Sequence, residues 1–180
     1  IAPLAFVLNP EVAADRTTLR DVCRITHRND EAYIGALAIV VAIRQVAIAG
    51  EKLDASLPSV IAAKLPDSRV RDRLRDLADT CTSDRLTECA QRYGASGYAV
   101  DSVPLAIMAA SGLASTGVTR AIQSAVECGG DTDTIASMAG QVIGAAAGQA
   151  AIPKELVASL PDLESIMATA QAFADFAASV

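Results

Sequence analysis

Residues 31–49 read EAYIGALAIVVAIRQVAIA, and after Glu31 only Arg44 and Gln45 interrupt the run of apolar and small residues. No segment longer than a few residues alternates apolar and polar side chains, whereas helical spacing recurs along the chain. A helix that is apolar nearly all round is surrounded by other helices. The sequence therefore predicts an all-α domain with this helix in the middle of a bundle, capped by Asn29 and Asp30.

Outward from this segment, capping residues, prolines and glycines divide the chain into further helices. They are predicted at 18–25, 57–64, 68–78, 83–93, 116–128, 133–148, 153–160 and from 163 to the end. After a loop at 94–97, Asp101 or Ser102 is expected to cap a helix with Pro104 in its first turn. Small residues follow each other at a spacing of four at Ala136, Gly140, Gly144 and Gly148, which predicts close approach of a neighbouring helix.

Length and charge set the class of protein. The chain has 180 residues, of which 52% are hydrophobic, and its mean hydropathy is +0.34. This composition predicts one self-sufficient domain over residues 1–180. The chain carries 15 basic and 21 acidic side chains, for a net charge of −6. Because phosphate backbones are bound mainly by clustered Lys and Arg, no nucleic acid is expected as a partner.

Cysteine usage and targeting signals predict the compartment. The four cysteines, which are Cys23, Cys81, Cys89 and Cys128, form no CxxC pair, and with one histidine the chain has no zinc-finger spacing. We expect reduced thiols in a cytoplasmic protein. The uncharged stretch 135–153 is rich in Ala and Gly and includes Gln141 and Gln149, so we expect no membrane helix. No secretory signal opens the sequence.

A cluster of arginines lies between the central helix and the loop at 94–97. Its members are Arg69, Arg71, Arg73 and Arg75, interleaved with Asp67, Asp72, Asp76 and Asp79. The alternating charges favour a solvent-exposed, salt-bridged face. A phosphate-binding patch is the alternative.

The most informative segment for chemistry is CGGDTDTI at 128–135, which ends one predicted helix and begins the next. Asp131, Asp133 and Thr134 present oxygen atoms near a helix N-terminus, without His or Cys beside them. Such hard donors suit Mg²⁺, Mn²⁺ or Ca²⁺. The spacing is not that of an EF-hand, because Ala136 stands where the Ca²⁺ loop needs glycine. The alternative interpretation is simple helix capping, for which one such residue suffices.

The residues around this segment resemble the ADP-ribosylglycohydrolase family. The signature is GGDTDTIA at 129–136, and the resemblance extends to GYAVDS at 97–102, PLA at 104–106, AIP at 151–153, IAPL at 1–4 and Thr26-His27. It covers essentially the whole chain. The resemblance implies an all-α fold, an orthogonal multi-helix bundle, and hydrolysis of the glycosidic bond between ADP-ribose and an acceptor.

The resemblance also implies the site residues. Asp131, Asp133 and Thr134 would hold part of a site for two Mg²⁺ ions, with Mn²⁺ possible, and Asp131 or Asp133 would be the catalytic carboxylate. His27, Gly97 and Tyr98 would bind ADP-ribose. From the residues alone, His27 is more simply a histidine at a helix start and Tyr98 a core aromatic.

The resemblance further implies that the N-terminal part of the domain lies outside these 180 residues. That part carries a Thr-Asp-Asp segment with the other metal ligands, and no such tripeptide occurs here. Three explanations stay open, namely a fragment, a second chain that supplies the missing segment, or an inactive homologue. The expected substrate is an ADP-ribosylated protein or small molecule. The alternative function is a non-catalytic ADP-ribose-binding or structural helical protein.

Overall fold

The computed structural model describes residues 1–179, and in this range it contains α-helices and short 3-10 turns but no strand. The α-helices are α1 (Ala13–Arg24), α2 (Asp30–Ala47), α3 (Leu57–Lys64), α4 (Arg69–Thr80), α5 (Leu86–Tyr93), α6 (Ala99–Ser111), α7 (Leu113–Glu127), α8 (Thr132–Ala147), α9 (Lys154–Ala158) and α10 (Leu163–Ala177). The 3-10 turns are Ala2–Phe6, Ser83–Arg85 and Gln149–Ala151. The all-α prediction is confirmed.

Helix α2 lies at the centre of the bundle, as predicted. It contacts α1, α3, α4, α6 and α8, and it is buried from Tyr33 to Ile43. Asn29 caps it by accepting a hydrogen bond from the backbone N–H of Glu31 at 2.8 Å. Arg44, which breaks the apolar run, donates to the carbonyl oxygens of Ala5 and Leu8 at 2.8 and 2.9 Å. The polar interruption therefore holds the N-terminal 3-10 turn against the central helix.

Helix α6 is the second central element, and it begins earlier than predicted. The carbonyl oxygen of Tyr98 accepts bonds from the N–H groups of Asp101 and Ser102 at 2.8 and 3.0 Å, so those residues lie inside the first turn instead of capping it. Pro104 consequently lies in the interior of the helix, where it lacks the N–H that would bond to Val100. The helix continues because its residues pack against α2, α4, α7 and α8.

Other helix boundaries differ from prediction at particular residues. Helix α1 starts at Ala13, five residues before the predicted start. The segment 83–93 is divided into a 3-10 turn and α5. Gly117, with φ of 78° and ψ of 171°, kinks α7, a conformation that glycine adopts without steric cost.

The glycines within α8 and at its C-terminal cap do not have the predicted role. Ile135, Ala139, Val142 and Ile143 form the buried face of α8. At Gly140, Gly144 and Gly148, by contrast, an added Cβ would meet no described atom within 4 Å. The prediction of close helix approach is therefore wrong for the described residues, because the glycines lie beside the buried stripe and not in it.

The prediction of four reduced cysteines is also wrong. Cys81, at the end of α4, is joined by a disulfide to Cys89 of α5, while Cys23 and Cys128 are free and buried. The helix packing brings the paired cysteines together, with a Cα–Cα distance of 6.2 Å, although eight positions separate them in the sequence.

The C-terminal helices are peripheral. No residue of α9 or α10 is buried among the described residues, and Phe173 of α10 meets Phe6 edge to face at 6.3 Å between ring centroids. Within residues 1–179, no helix is both long and apolar enough to cross a membrane.

Candidate functional site

The turn between α7 and α8 is built by two consecutive glycines. Gly129 and Gly130 have φ of 71° and 66°, in the left-handed region that glycine favours. A Cβ at Gly130 would also overlap the backbone carbonyl of Ala95. That carbonyl accepts a hydrogen bond from the N–H of Asp131 at 2.8 Å. The glycine pair thus lets the start of α8 pair with the loop before α6.

The loop at 94–97 is held from its other side by charged and polar side chains. Arg73 of α4 donates to the carbonyl oxygen of Tyr93 at 2.7 Å and lies 3.6 Å from the carboxylate of Asp101. Ser96 donates to the same carboxylate at 2.6 Å. Both members of the Arg73–Asp101 pair have 20% side-chain exposure. The loop is therefore fixed between α4, α6 and the start of α8.

The carboxylates of Asp131 and Asp133 lie at the start of α8. Asp131 packs onto the α-carbon of Gly97, where a Cβ would overlap its carboxylate oxygen. The hydrogen bond to the Asp131 side chain, and next the backbone N–H groups of Thr134 and Asp133, lower the pKa of Asp133. Two carboxyl groups this close need a proton or a cation between them.

A cleft of about 370 Å³ opens between α2, α6 and α8. Its walls are mainly apolar or small, with a few polar groups, which is typical of a small-molecule site. Four of the predicted site residues line it, namely His27, Gly97, Tyr98 and Thr134. Asn29, Ser102 and Gln141 add further polar atoms.

His27 lies in the exposed turn that leads into α2. The hydroxyl oxygen of Thr26 is 2.8 Å from Nδ1 of the His27 ring. When this hydroxyl donates, Nδ1 is the acceptor and Nε2 carries the hydrogen, so the imidazole offers a donor to a ligand. His27 stands before the N-cap Asn29, close to the helix start that the residues alone predicted.

Tyr98 is the residue immediately before α6, and its side chain stands at the cleft. It has 36% exposure, so the interpretation of Tyr98 as a core aromatic is wrong. The guanidinium of Arg69 lies over its ring at 5.5 Å from the centroid, and Nη1 donates to the phenol oxygen at 3.3 Å. Arg69 thus places a cation against the ring.

Most of the predicted site residues are brought together. Thr134 lines the cleft with the three predicted ligand-binding residues, and Asp131 packs on Gly97. Asp133 is exposed and is not among the cleft-lining residues. Within residues 1–179, no group of three or more His, Cys, Asp or Glu side chains forms a ready metal centre.

The sequence did not predict the contacts that hold the 94–97 loop. In these contacts Arg73 and Ser96 bind the carboxylate of Asp101, and we call the three residues the clamp. The sequence pattern predicts a solvent-exposed face for the cluster that contains Arg73, and a helix cap at Asp101 or Ser102. The one signal in the sequence was the position of this arginine next to the apolar stripe of α4, whose apolar residues recur at helical spacing. Periodicity does not reveal which residue such an arginine reaches, because its partner is 28 positions away.

These features define an all-α protein with a ligand-sized cleft beside a pair of carboxylates. The family model for ADP-ribosylglycohydrolase matches residues 1–179, and the chain belongs to this family. The uncharacterized protein YegU of Escherichia coli strain K12 is 36% identical over 150 residues, which cover 75% of this chain and 44% of that protein. The chain thus spans less than half the length of this curated relative.

Proposed function

We propose that the complete protein is a hydrolase that cleaves the glycosidic bond between ADP-ribose and an acceptor. The acceptor is a protein side chain or a small molecule. The observation that carries the proposal is the convergence of His27, Gly97, Tyr98 and Thr134 on one cleft in a chain of this family. The cleft of about 370 Å³ falls in the range of ligand pockets, about 300–1,000 Å³.

The proposed roles in binding follow from the chemistry of each residue. His27 donates from Nε2 to a ribose or phosphate oxygen. Gly97 has no side chain and lets a ligand approach its backbone closely. Tyr98 offers an aromatic face on which the adenine stacks.

Asp131, Asp133 and Thr134 are the proposed ligands of Mg²⁺, with Mn²⁺ as the alternative ion. Their donor set fits a hard cation, since it consists of oxygens alone and its two adjacent carboxylates repel each other unless a cation or proton separates them. Ions bound by these residues would supply Lewis-acid stabilisation and would help to orient the ribose hydroxyls and water. The remaining ligands would come from another segment of the complete protein or from a second chain.

The chain's own residues then assist the bond cleavage. Water attacks the anomeric carbon as the bond to the acceptor breaks, and positive charge develops on the sugar. Asp131 or Asp133 accepts the proton from the water or stabilises that charge, and the acceptor leaves with the electron pair of the broken bond and is protonated, so that the products are ADP-ribose and the free acceptor. His27 and Tyr98 hold the rest of the ADP-ribose in place, so that the anomeric carbon stays near the carboxylates.

The test is release of ADP-ribose by the full-length protein, followed by mass spectrometry. Substrates are peptides ADP-ribosylated on arginine or on serine, and O-acyl-ADP-ribose as a small molecule. We expect Mg²⁺-dependent release, which EDTA abolishes and which Asp131→Asn and Asp133→Asn each reduce at least about hundredfold. Glu127→Gln, at the end of the preceding helix, is the matched control and should release ADP-ribose at the wild-type rate. Absence of release from every substrate would exclude catalysis.

The alternative function is a non-catalytic ADP-ribose-binding protein. The observation that favours it is that the described residues contribute only two clustered carboxylates to the proposed metal site. A binder would retain ADP-ribose affinity in Asp131→Asn and Asp133→Asn and lose it in His27→Ala and Tyr98→Ala. Calorimetric titration of these four variants with ADP-ribose separates the two functions. A cytoplasmic location remains a prediction, which cell fractionation can test.

A further inference from the structure

The diphosphate of ADP-ribose needs positive charge, and the proposed function leaves the source of that charge beside Tyr98 unassigned. The inference below rests on the proposed function. Among the described residues that line the cleft there is no lysine or arginine. Besides the proposed metal site, a cation near the cleft wall would help to balance a ligand with two negative charges.

The arginine cluster of α4 supplies candidates, and the structure separates them. Arg71 is paired with Asp67 and Asp72. Arg73 is paired with Asp101 and donates a hydrogen bond to the carbonyl oxygen of Tyr93. Among residues 1–179, no carboxylate lies within ion-pairing distance of the Arg69 guanidinium. Arg69 thus keeps an unneutralised charge, as Arg75 does, but it is Arg69 that contacts Tyr98.

The position of Arg69 is fixed at the start of α4. Glu31, in the first turn of α2, accepts hydrogen bonds from the backbone N–H groups of Arg69 and Val70 at 3.0 and 3.1 Å. These bonds tie the N-terminus of α4 to α2, the helix that forms one wall of the cleft. The side chain then reaches the ring of Tyr98, with Nη1 at 3.3 Å from the phenol oxygen.

We propose that Arg69 is a specificity-determining residue that binds the diphosphate of a nucleotide ligand in the cleft. Its guanidinium has five N–H donors, of which one is engaged by Tyr98, so donors are left for phosphate oxygens. The contact with Tyr98 holds the guanidinium next to the ring on which a base can stack. Arg69 therefore makes the cleft select nucleotides that carry a diphosphate over nucleosides that lack one.

The experiment is calorimetric titration of the full-length protein with ADP-ribose, inorganic pyrophosphate and adenosine. The variants are Arg69→Gln and Arg69→Lys, and Arg75→Gln is the control that removes the same charge from an exposed position of the same helix. We expect Arg69→Gln to weaken ADP-ribose and pyrophosphate about tenfold and to leave adenosine unchanged. Arg69→Lys should recover part of the loss, and Arg75→Gln should bind as wild type does.

The outcomes separate this inference from the proposed function. Equal affinity of Arg69→Gln and wild type for ADP-ribose overturns the role of Arg69 and leaves the proposed function standing. Equal weakening of ADP-ribose and adenosine also overturns it, because Arg69 would then only support the Tyr98 ring. Arg69-dependent binding of pyrophosphate without binding of ADP-ribose supports the role of Arg69 and refutes the proposed function. Binding of none of the three ligands refutes both.

Discussion

The carboxylate of Asp131 rests on the α-carbon of Gly97, so that a Cβ at Gly97 would overlap Oδ2 and lie 3.5 Å from Cγ of Asp131. This contact joins the two sequence motifs that are most informative about function, although 34 positions separate them. The N–H of Asp131 is bonded to Ala95 of the same loop, at 2.8 Å. The absence of a side chain at position 97 therefore sets where the Asp131 carboxylate stands.

Gly97→Ala is expected to displace that carboxylate. The added methyl group forces the Asp131 side chain to rotate, which should lower ADP-ribose release about hundredfold while the free energy of unfolding changes by less than about 1 kcal/mol. Steady-state kinetics over a Mg²⁺ series and thermal unfolding of the full-length protein measure both effects. Gly140→Ala is the control, because its Cβ meets open space in a helix and should stabilise by about 0.5–1 kcal/mol. Wild-type kinetics in Gly97→Ala would show that the contact has no bearing on the reaction.

Asp101→Ala should loosen the loop that carries Gly97. The substitution leaves Arg73 and Ser96 without their carboxylate partner in a half-buried position, and we expect a loss of about 1–3 kcal/mol in unfolding free energy. Chemical denaturation of the full-length protein measures this loss. Glu88→Gln is the comparison, because the Arg85–Glu88 pair has more than 60% exposure on both sides and should leave the denaturation midpoint unchanged. Equal midpoints for Asp101→Ala and wild type would count against the clamp.

The pair formed by Arg120 and Glu127 on α7 should produce a small pH dependence of stability. The hydrogen bond from Arg120, at 2.8 Å, is the main cause of a lowered pKa of Glu127, with a second bond from Gln123. Since the pKa is lower in the folded state, the stabilisation is present above the unfolded pKa of about 4.3 and is lost as pH falls through the folded pKa.

NMR titration of the Glu127 carboxyl group checks this shift, and Arg120→Ala should raise the pKa of Glu127 toward its ordinary value. A titration curve that Arg120→Ala leaves unmoved would show that the pair does not form in solution.

The cysteines should react in two separate groups. Cys23 and Cys128 are buried, and burial with the neighbouring Glu127 charge raises the pKa of Cys128 to about 11, so the thiolate is scarce at pH 8. Peptide mapping of residues 1–180 after iodoacetamide treatment should show no rapid alkylation of the four cysteines in the native protein. Unfolding without reductant should label Cys23 and Cys128, and reduction should add Cys81 and Cys89. Labelling of Cys81 in unfolded, unreduced protein would contradict the disulfide.

The sequence predicted the parts of the fold that rest on local rules. The central position of α2 followed from its apolar residues on every side, and the Asn29 cap followed from the preference of that position for a short polar side chain. The start of α6 did not follow, because Asp101 is a good capping residue whose side chain is recruited instead by Arg73 and Ser96. The start of α6 therefore depends on contacts with Arg73 and Ser96 and not on the local capping preference alone.

The sequence predicted which residues belong to the site, but it did not predict how they are arranged. The glycine pair and the two aspartates at the start of α8 indicated oxygen ligands, and the resemblance added His27, Gly97 and Tyr98. The spacing of these motifs could not indicate that Asp131 would lie on Gly97, nor that Arg69 would cover Tyr98. Both contacts join residues about 30 positions apart, and such contacts depend on how whole helices pack.

Helix α10 contributes no buried residue, whereas α2 and α6, which wall the cleft, are buried over most of their lengths. The cost of local opening rises with buried apolar contact, so backbone amides of α10 should exchange with solvent deuterium long before those of α2. The cleft is therefore built on the slowest-opening part of the chain. The walls of the cleft are formed before a ligand binds, so binding costs little conformational entropy of the protein.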